Sequence, residues 1–255
     1  MKEVVQSVDR ALSILEVLSD QETGLGLSEI SNQIDLHKST VHRLLGTLMI
    51  RGYVEQDPHT NRYSLTMKLF ELGNKKIEKL DVLTLAKPYL RELADKTNEV
   101  VHLVIREGAE IIYIDKVEGD YTLRMHSRIG RRSPLYCTAV GKVMMAYLEE
   151  EERKKLWEES AKKEYTSFTI IQYSQMQEEL KKVKNQGYAV DDQEHEIGVR
   201  CIGAPIFDYQ GNVHAAISVS GPAIRMTPEK IKVFAGFLLK YGEKISRELG
   251  YMGEM

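Results

Sequence analysis

The 255-residue sequence lacks the features that define several large protein classes. Two cysteines do not imply a disulfide scaffold, and reduced thiols in the cytoplasm are the simpler interpretation. No apolar run approaches the roughly 20 residues of a membrane-spanning helix, and residues 1–7 lack the apolar segment of a signal peptide. We therefore expect a cytoplasmic protein without a membrane partner.

The sequence also lacks a large excess of positive or negative residues, since the formal net charge is only −3. Contact with nucleic acid would therefore need a local basic patch. The 42% hydrophobic and 29% charged fractions are those of an ordinary globular protein. At this length, about two domains are expected.

Residues 27–48 are the most informative segment, because two short helical patterns meet there at a tight turn. Apolar residues recur at intervals of three and four from Val41 to Leu48, and Ser28 is a candidate N-cap of the helix before them. The opposite face of the second helix is polar and carries no glutamate. A solvated helix face is the simpler alternative, but the pattern is typical of a helix-turn-helix that binds DNA. The candidate DNA-binding residues are Ser28, Lys38, Ser39, Thr40, His42, Arg43, Thr47 and Arg62.

Period-two patterns on both sides of a turn at 57–61 predict a β-hairpin, the wing of a winged helix-turn-helix that spans residues 1–66. A linker helix is predicted over 67–80, and a second domain over 81–255. In that domain a helix from about 82 to 97 is expected to be interrupted by Pro88. Further helices are predicted at 139–146, at 174–186 and from Thr227 to about 249, with strands at 100–105, 111–114, 122–126, 188–190, 201–206 and 213–219. The fold class is α+β, with an antiparallel sheet in an α/β second domain.

Five motifs in this order, at 7–12, 38–45, 187–192, 196–206 and 216–222, resemble those of the IclR family of bacterial transcriptional regulators. The resemblance covers nearly the whole chain. It implies a GAF-like effector-binding domain, a small organic acid as effector, and a homodimer or homotetramer on double-stranded operator DNA. We therefore expect an effector-responsive regulator, and more specifically a repressor of a catabolic operon, although no residue decides between repression and activation.

The same resemblance implies an effector pocket between the start of the 139–146 helix and the late strands. A carboxylate there would be held by backbone amides, as helix N-termini favour anions. Small buried polar residues that only pack are the alternative. The candidate effector-binding residues are Thr138, Ala139, Val140, Asp191, Cys201, Ser218 and Ser220.

Two other functional classes stay open from the residues alone. Asp191, Cys201 and His195, together with Cys137, are metal-ligand types, but no CxxC or HxxxH spacing supports a metal site, and we expect none. A cysteine-dependent enzyme would need a base beside the thiol, and no catalytic residue or cofactor is predicted. A sensor that acts through protein partners is the second alternative. The basic run from Arg124 to Arg132 has three possible roles: a solvated loop, a screen for an anionic effector at the pocket mouth, or a contact with a neighbouring subunit.

Overall fold

A computed structural model describes residues 4–21, 23–69, 71–72, 81–120 and 127–253. The chain divides into two compact units, Met1–Lys79 and Leu80–Met255. No helix in the described ranges is long and apolar enough to cross a membrane.

The first unit is a three-helix fold with a hairpin, which confirms the predicted winged helix-turn-helix. Its core is formed by apolar residues of all three helices and the hairpin, among them Ile14, Ile30, Leu45 and Val54. The hairpin strands pair in antiparallel fashion. The elements are α1 (Gln6–Ser19), α2 (Leu27–Gln33), α3 (Lys38–Ile50), β1 (Val54–Gln56) and β2 (Tyr63–Leu65).

Helix α2 begins earlier than predicted, because Gly26 and not Ser28 is its N-cap residue. The N–H of Gly26 donates to Glu29 Oε2 at 2.7 Å, so the glutamate satisfies the first free donor of the helix end. Ser28 lies inside the helix with an exposed side chain. The prediction of Ser28 as an N-cap is therefore wrong.

The second unit is built on a six-stranded sheet of order β5-β4-β3-β8-β7-β6, in which every pair of neighbours is antiparallel. This confirms the expected antiparallel sheet and the α+β class. Its helices are α4 (Val82–Thr97), α5 (Ala139–Ala146), α6 (Glu150–Glu159), α7 (Tyr173–Gln186) and α8 (Pro228–Glu248). Its strands are β3 (Val100–Glu107), β4 (Glu110–Val117), β5 (Arg132–Pro134), β6 (Ala189–Asp192), β7 (Val199–Phe207) and β8 (Val213–Pro222).

Several details of the second unit depart from the predictions. Helix α4 runs through Pro88 without interruption, because its apolar face, with Ala86 and Leu90, packs in the core and outweighs one missing hydrogen bond. Strand β5 and helix α6 were not predicted. The strand predicted at 122–126 lies outside the described residues. Residues 68, 69, 71 and 72 are helical, as the linker prediction requires, and 73–80 lie outside the described residues.

The sheet separates two cores, and the alternation of each strand decides which core a side chain enters. On one face, residues such as Leu103 and Ile217 pack with α4 and α8. On the other face, Val104 and Ala216 pack with α5 and α7. His102, Ser218 and Ser220 have the same parity as this second set, so a polar patch lies on the α5 side of the sheet.

Candidate functional site

The polar face of α3 is exposed, as the sequence predicts. Val41, Leu45 and Leu48 are buried against α1 and α2, so the opposite side of the helix faces solvent. His42 and Arg43 are among its exposed residues, and Thr47 Oγ1 donates to the Arg43 carbonyl at 3.2 Å. The predicted contact residues on this face are exposed except for the half-buried Thr40; they are Lys38, Ser39, Thr40, His42, Arg43 and Thr47.

A shallow groove runs along this face between α1 and α3. It is lined by Ser7 and Arg10 of α1 together with Thr40, Arg43 and Thr47 of α3. Arg10 adds a second cation beside Arg43, and it was not singled out from the sequence as a DNA contact. Its signal is weak, because a single arginine in an amphipathic helix is ordinary.

Arg62 of the wing is engaged within the unit. Its Nε donates to the Gly24 carbonyl at 3.1 Å, and its Nη2 lies 3.0 Å from Glu29 Oε2. These contacts fasten the hairpin to the start of α2. The role of Arg62 and of Ser28 in DNA contact stays a prediction.

All seven residues predicted for effector binding line one cavity of about 60 Å³ in the second unit. They come from the start of α5 and from β6, β7 and β8, so the fold brings together residues up to 82 positions apart in sequence. The cavity has eight further lining residues: His102, Tyr113, Ser127, Arg131, Ser133, His195, Glu196 and Val199. Of these, Arg131 belongs to the basic run for which a position at the pocket mouth was one alternative.

The start of α5 forms one wall of the cavity. Thr138 is its N-cap, and Thr138 Oγ1 accepts from the Gly141 N–H at 3.2 Å. The N–H groups of Ala139 and Val140, in the first turn, have no acceptor within the helix. Strand β7 comes close enough that a Cβ at Gly203 would lie 2.9 Å from Val140 N. This wall therefore combines backbone donors with the positive end of a helix dipole.

A neutral histidine on β3 also lines the cavity. His102 Nε2 lies 2.7 Å from Ser127 Oγ, and Nδ1 lies 3.4 and 3.5 Å from the hydroxyls of Ser218 and Ser220. Burial, with a smaller contribution from the charge of Lys116, lowers the pKa of His102 to about 3. The imidazole is therefore uncharged at neutral pH. Sequence reasoning missed His102, and its one signal is a polar residue inside the apolar run of β3.

Asp191 is the buried carboxylate of the cavity and pairs with Cys201 across β6 and β7. Its Oδ1 accepts from the N–H groups of Glu194 and His195 at 2.8 and 3.4 Å. Burial, followed by the charge of Glu194, raises the pKa of Asp191 to about 7. Burial also raises the pKa of the Cys201 thiol, so this thiol is not the ionised nucleophile that a cysteine enzyme requires.

The four residues considered as metal ligands are not assembled as a set. Asp191, Cys201 and His195 line the cavity, whereas Cys137 is buried outside its lining. The His195 ring lies 5.0 Å from the ring of Tyr165. Within the described ranges, no group of three or more histidine, cysteine or acidic side chains is placed to hold a metal ion.

A helix-turn-helix unit followed by a unit with a buried polar cavity defines a ligand-responsive DNA-binding regulator. Two family models match the chain: "IclR helix-turn-helix domain" over residues 7–58 and "Bacterial transcriptional regulator IclR C-terminal" over residues 74–247. The chain belongs to the IclR family of bacterial transcriptional regulators, which are DNA-binding proteins with an effector-binding C-terminal domain and not enzymes.

Individual relatives are similar in sequence to this chain over nearly its full length. The HTH-type transcriptional regulator KdgR of Escherichia coli K12 is 40% identical over 247 residues, which is 97% of this chain and 94% of that protein. The transcriptional repressor IclR of the same organism is 32% identical over 250 residues, covering 97% and 91% of the two chains. The crystal structure of Thermotoga maritima IclR matches with a TM-score of 0.66 and 35% identity, over 97% of this chain and 100% of that one.

Proposed function

We propose that this chain is a repressor of a catabolic operon and that a small organic acid, bound in the cavity of the second unit, releases it from operator DNA. The observation that carries the proposal is the cavity itself. It is small, and its lining combines hydroxyls, a neutral imidazole and backbone donors at a helix start, most of them on buried residues. Such a cavity suits a small molecule rich in oxygen.

The effector carboxylate would bind at the start of α5. The N–H groups of Ala139 and Val140 and the helix dipole favour an anion there, and Arg131 of the cavity lining adds a cation. The further oxygen atoms of the acid would meet Ser218, Ser220 and Asp191. A protonated Asp191 can donate to such an oxygen, whereas the ionised form repels the carboxylate.

The polar face of α3 would enter the major groove of DNA. Ser39 and Thr40, near the helix start, suit phosphate contacts that position the protein. Arg43 suits base readout, since arginine pairs bidentately with guanine. A homodimer would place two such helices about one helical turn or more apart on a pseudo-palindromic operator. A homotetramer would pair two such dimers. The protein would act in the cytoplasm, where the operator is.

Repression is favoured because a full-length relative is named a transcriptional repressor. Effector binding would lower DNA affinity by the difference in effector affinity between the two states, typically about 1–3 kcal/mol or 5–150-fold. A sensor that acts only through protein partners would have no operator affinity, so it is an outcome of the test below.

The DNA proposal is tested by fluorescence anisotropy at fixed salt with labelled DNA from upstream of the gene for this chain. We expect tight binding by wild type and loss of specific binding by Arg43→Ala. Arg51→Ala is the matched control, because Arg51 is an exposed arginine at the C-terminal end of α3. Equally weak binding by all three proteins, repeated across genomic fragments, would instead favour a protein partner.

The effector proposal is tested by thermal shift with a panel of small acids, namely glyoxylate, pyruvate, gluconate and benzoate. A bound acid stabilises the folded state in proportion to the logarithm of its concentration over Kd. We expect at least one acid to raise the Tm of wild type and to raise that of Ser218→Ala less. No shift with any acid, or equal shifts in both proteins, would contradict the assignment of the cavity.

A further inference from the structure

Lys142 is a buried ammonium in an otherwise apolar helix. Helix α5 has the sequence AVGKVMMA, and the Lys142 side chain has 0% exposed surface. Its Nζ lies 2.5 Å from Glu194 Oε1 and 3.0 Å from Glu179 Oε1, and it also donates to the Val190 carbonyl. Burial opposes the charged form, but the two carboxylates together raise the pKa of Lys142. The ammonium therefore stays charged at neutral pH.

Glu194 connects this ammonium to the effector cavity. It follows β6 in the chain, and its N–H donates to Asp191 Oδ1 at 2.8 Å. Its carbonyl accepts from Thr169 Oγ1 at 2.6 Å. The side chain of Glu194 is thus held by α5 while its backbone holds the carboxylate of Asp191. Lys142 itself does not line the cavity.

Stability alone is a weak reason for this arrangement. In a buried ion pair the cost of desolvation offsets most of the attraction, and an apolar residue of similar volume often serves the fold as well. One oxygen, Glu194 Oε2, is buried without a hydrogen-bond partner, which is a further cost. The arrangement does fix a geometry, because two of the three contacts of this ammonium, with the Val190 carbonyl and Glu194, lie on the segment that carries Asp191, and the third ties that segment to Glu179 of α7.

We propose that Lys142 is a positioning residue for effector binding, which through Glu194 holds the loop that orients Asp191 in the cavity. This inference rests on the proposed effector function. Lys142 acts without touching the effector. Its removal frees the Glu194 side chain and loosens the backbone N–H groups that bind Asp191 Oδ1.

Titratable groups on several elements surround Asp191. Glu194 raises the pKa of Asp191 and Lys142 lowers it, with burial as the largest cause. Cys201 on β7, Tyr113 on β4 and Cys137 before α5 also interact with its charge. Glu194→Gln removes the charge that raises the pKa and keeps the shape, so Asp191 would ionise at lower pH in this variant.

Hydrogen exchange of the effector-free, full-length protein tests the positioning role directly. We expect amides 193–196 to exchange about tenfold faster in Lys142→Met and by a smaller factor in Glu194→Gln, while core amides of β3 and β8 stay unchanged. Lys142→Arg should restore most of the protection. Lys182→Met, which removes an exposed lysine of α7, is the control and should match wild type.

The pH at which pyruvate affinity falls is a second measurement, and a residue that only supports packing would leave this pH unchanged. In wild type we expect affinity to fall as pH rises through about 7, where Asp191 becomes charged. In Glu194→Gln this fall should move to lower pH, and in Lys182→Met it should not move. A loss that arises from packing alone would lower affinity equally at every pH.

The outcomes separate this inference from the proposed function. Unchanged exchange at 193–196 in both Lys142→Met and Glu194→Gln, or faster exchange spread equally over β3 and β8, would overturn the positioning role. If Lys142→Met did not fold, Glu194→Gln would carry the same test. If wild type bound neither pyruvate nor any other acid of the panel, the proposed function would fail, and hydrogen exchange would still decide whether Lys142 positions the loop.

Discussion

The polar face of α3 and the cavity of the second unit use polar side chains in opposite ways. On α3, residues such as Lys38, His42 and Arg43 are exposed, and the helix is held by the apolar residues on its other side. In the cavity, Asp191 and His102 are at most 3% exposed, and burial shifts the pKa of each toward its uncharged form. The exposed polar residues of α3 therefore cost the fold little stability, whereas burial of Asp191 and His102 lowers the free energy of unfolding.

This difference separates two effects of mutation. Substitutions on the exposed face of α3 should change binding and leave stability unaltered, because exposed side chains away from caps and cores contribute little to folding. Substitutions at the buried polar residues of the cavity, such as His102, Asp191 and Ser218, should change both, because these groups are hydrogen-bonded within the fold. The predictions below test this separation.

The largest effect is expected for Asp191→Asn on stability. The pKa of Asp191 in the folded state is about 7, against an ordinary value of 3.8, so the native state binds the proton more tightly than the unfolded state. The contribution of Asp191 to stability is then fully present below about pH 4 and is lost as pH rises through about 7. Asparagine keeps the acceptor oxygen and cannot ionise, so the variant should be more stable at pH 8, by at most about 4 kcal/mol.

Thermal unfolding at pH 4 and pH 8 measures this effect. The difference in Tm between Asp191→Asn and wild type should be large at pH 8 and small at pH 4. Asp95→Asn is the control, because Asp95 is an exposed residue of α4. A variant less stable than wild type at pH 8 would show that the ionised carboxylate is needed by the fold.

A smaller loss of stability is expected for Gly203→Ala. The added Cβ would lie 2.9 Å from Val140 N, so β7 and the start of α5 must move apart. Overpacking of this kind typically costs about 1–3 kcal/mol. Gly236→Ala in α8 is the matched control, since its Cβ meets nothing within 4 Å and should stabilise the helix. Chemical denaturation compares the two, and equal stabilities would mean that the close approach carries no constraint.

Ser218→Ala should have a modest effect on stability and a clearer one on effector affinity. The hydroxyl lies 3.4 Å from His102 Nδ1, which is a long hydrogen bond, so its loss should lower stability by about 1 kcal/mol or less. The same hydroxyl would bind an effector oxygen. Isothermal titration with the acid found by thermal shift should show weaker binding, while unchanged affinity would assign Ser218 to packing alone.

The smallest effect on stability is expected for Arg62→Ala, because both Arg62 and Glu29 are partly exposed and such surface pairs contribute about 0–1 kcal/mol. Its predicted DNA contact is tested separately, by the dependence of DNA affinity on salt. Loss of one phosphate contact should reduce the slope of log affinity against log salt by about 1. An unchanged slope would restrict Arg62 to its contacts with the Gly24 carbonyl and Glu29.

Sequence patterns predicted those parts of the fold that depend on periodicity. The apolar spacing of α3 and the alternation around residues 201–219 correspond to observed elements. Local pattern did not reveal β5, since its three residues, Arg-Ser-Pro, include no strongly apolar residue and end in a proline, and its partner β4 lies about 20 positions earlier in the chain. It also misjudged Pro88, because the packing of α4 in the core decides the outcome there.

Prediction of the cavity from the sequence was limited in the same way. Its seven predicted residues came from a family resemblance, whereas His102, Tyr113 and Lys142 needed coordinates. Lys142 reads in sequence as an ordinary surface lysine of a short helix. Its burial depends on Glu179 and Glu194, which lie 37 and 52 positions away. No local pattern encodes such a contact.

The most direct test of the account is the release of operator DNA by the effector. Fluorescence anisotropy of the complex is followed while the acid identified by thermal shift is added, for wild type, Ser218→Ala and Arg51→Ala. We predict that wild type and Arg51→Ala release DNA at the same acid concentration, and that Ser218→Ala binds DNA equally well without acid but needs more acid for release. Release of Ser218→Ala at the wild-type concentration, or no release of any protein, would contradict the coupling of this cavity to DNA binding.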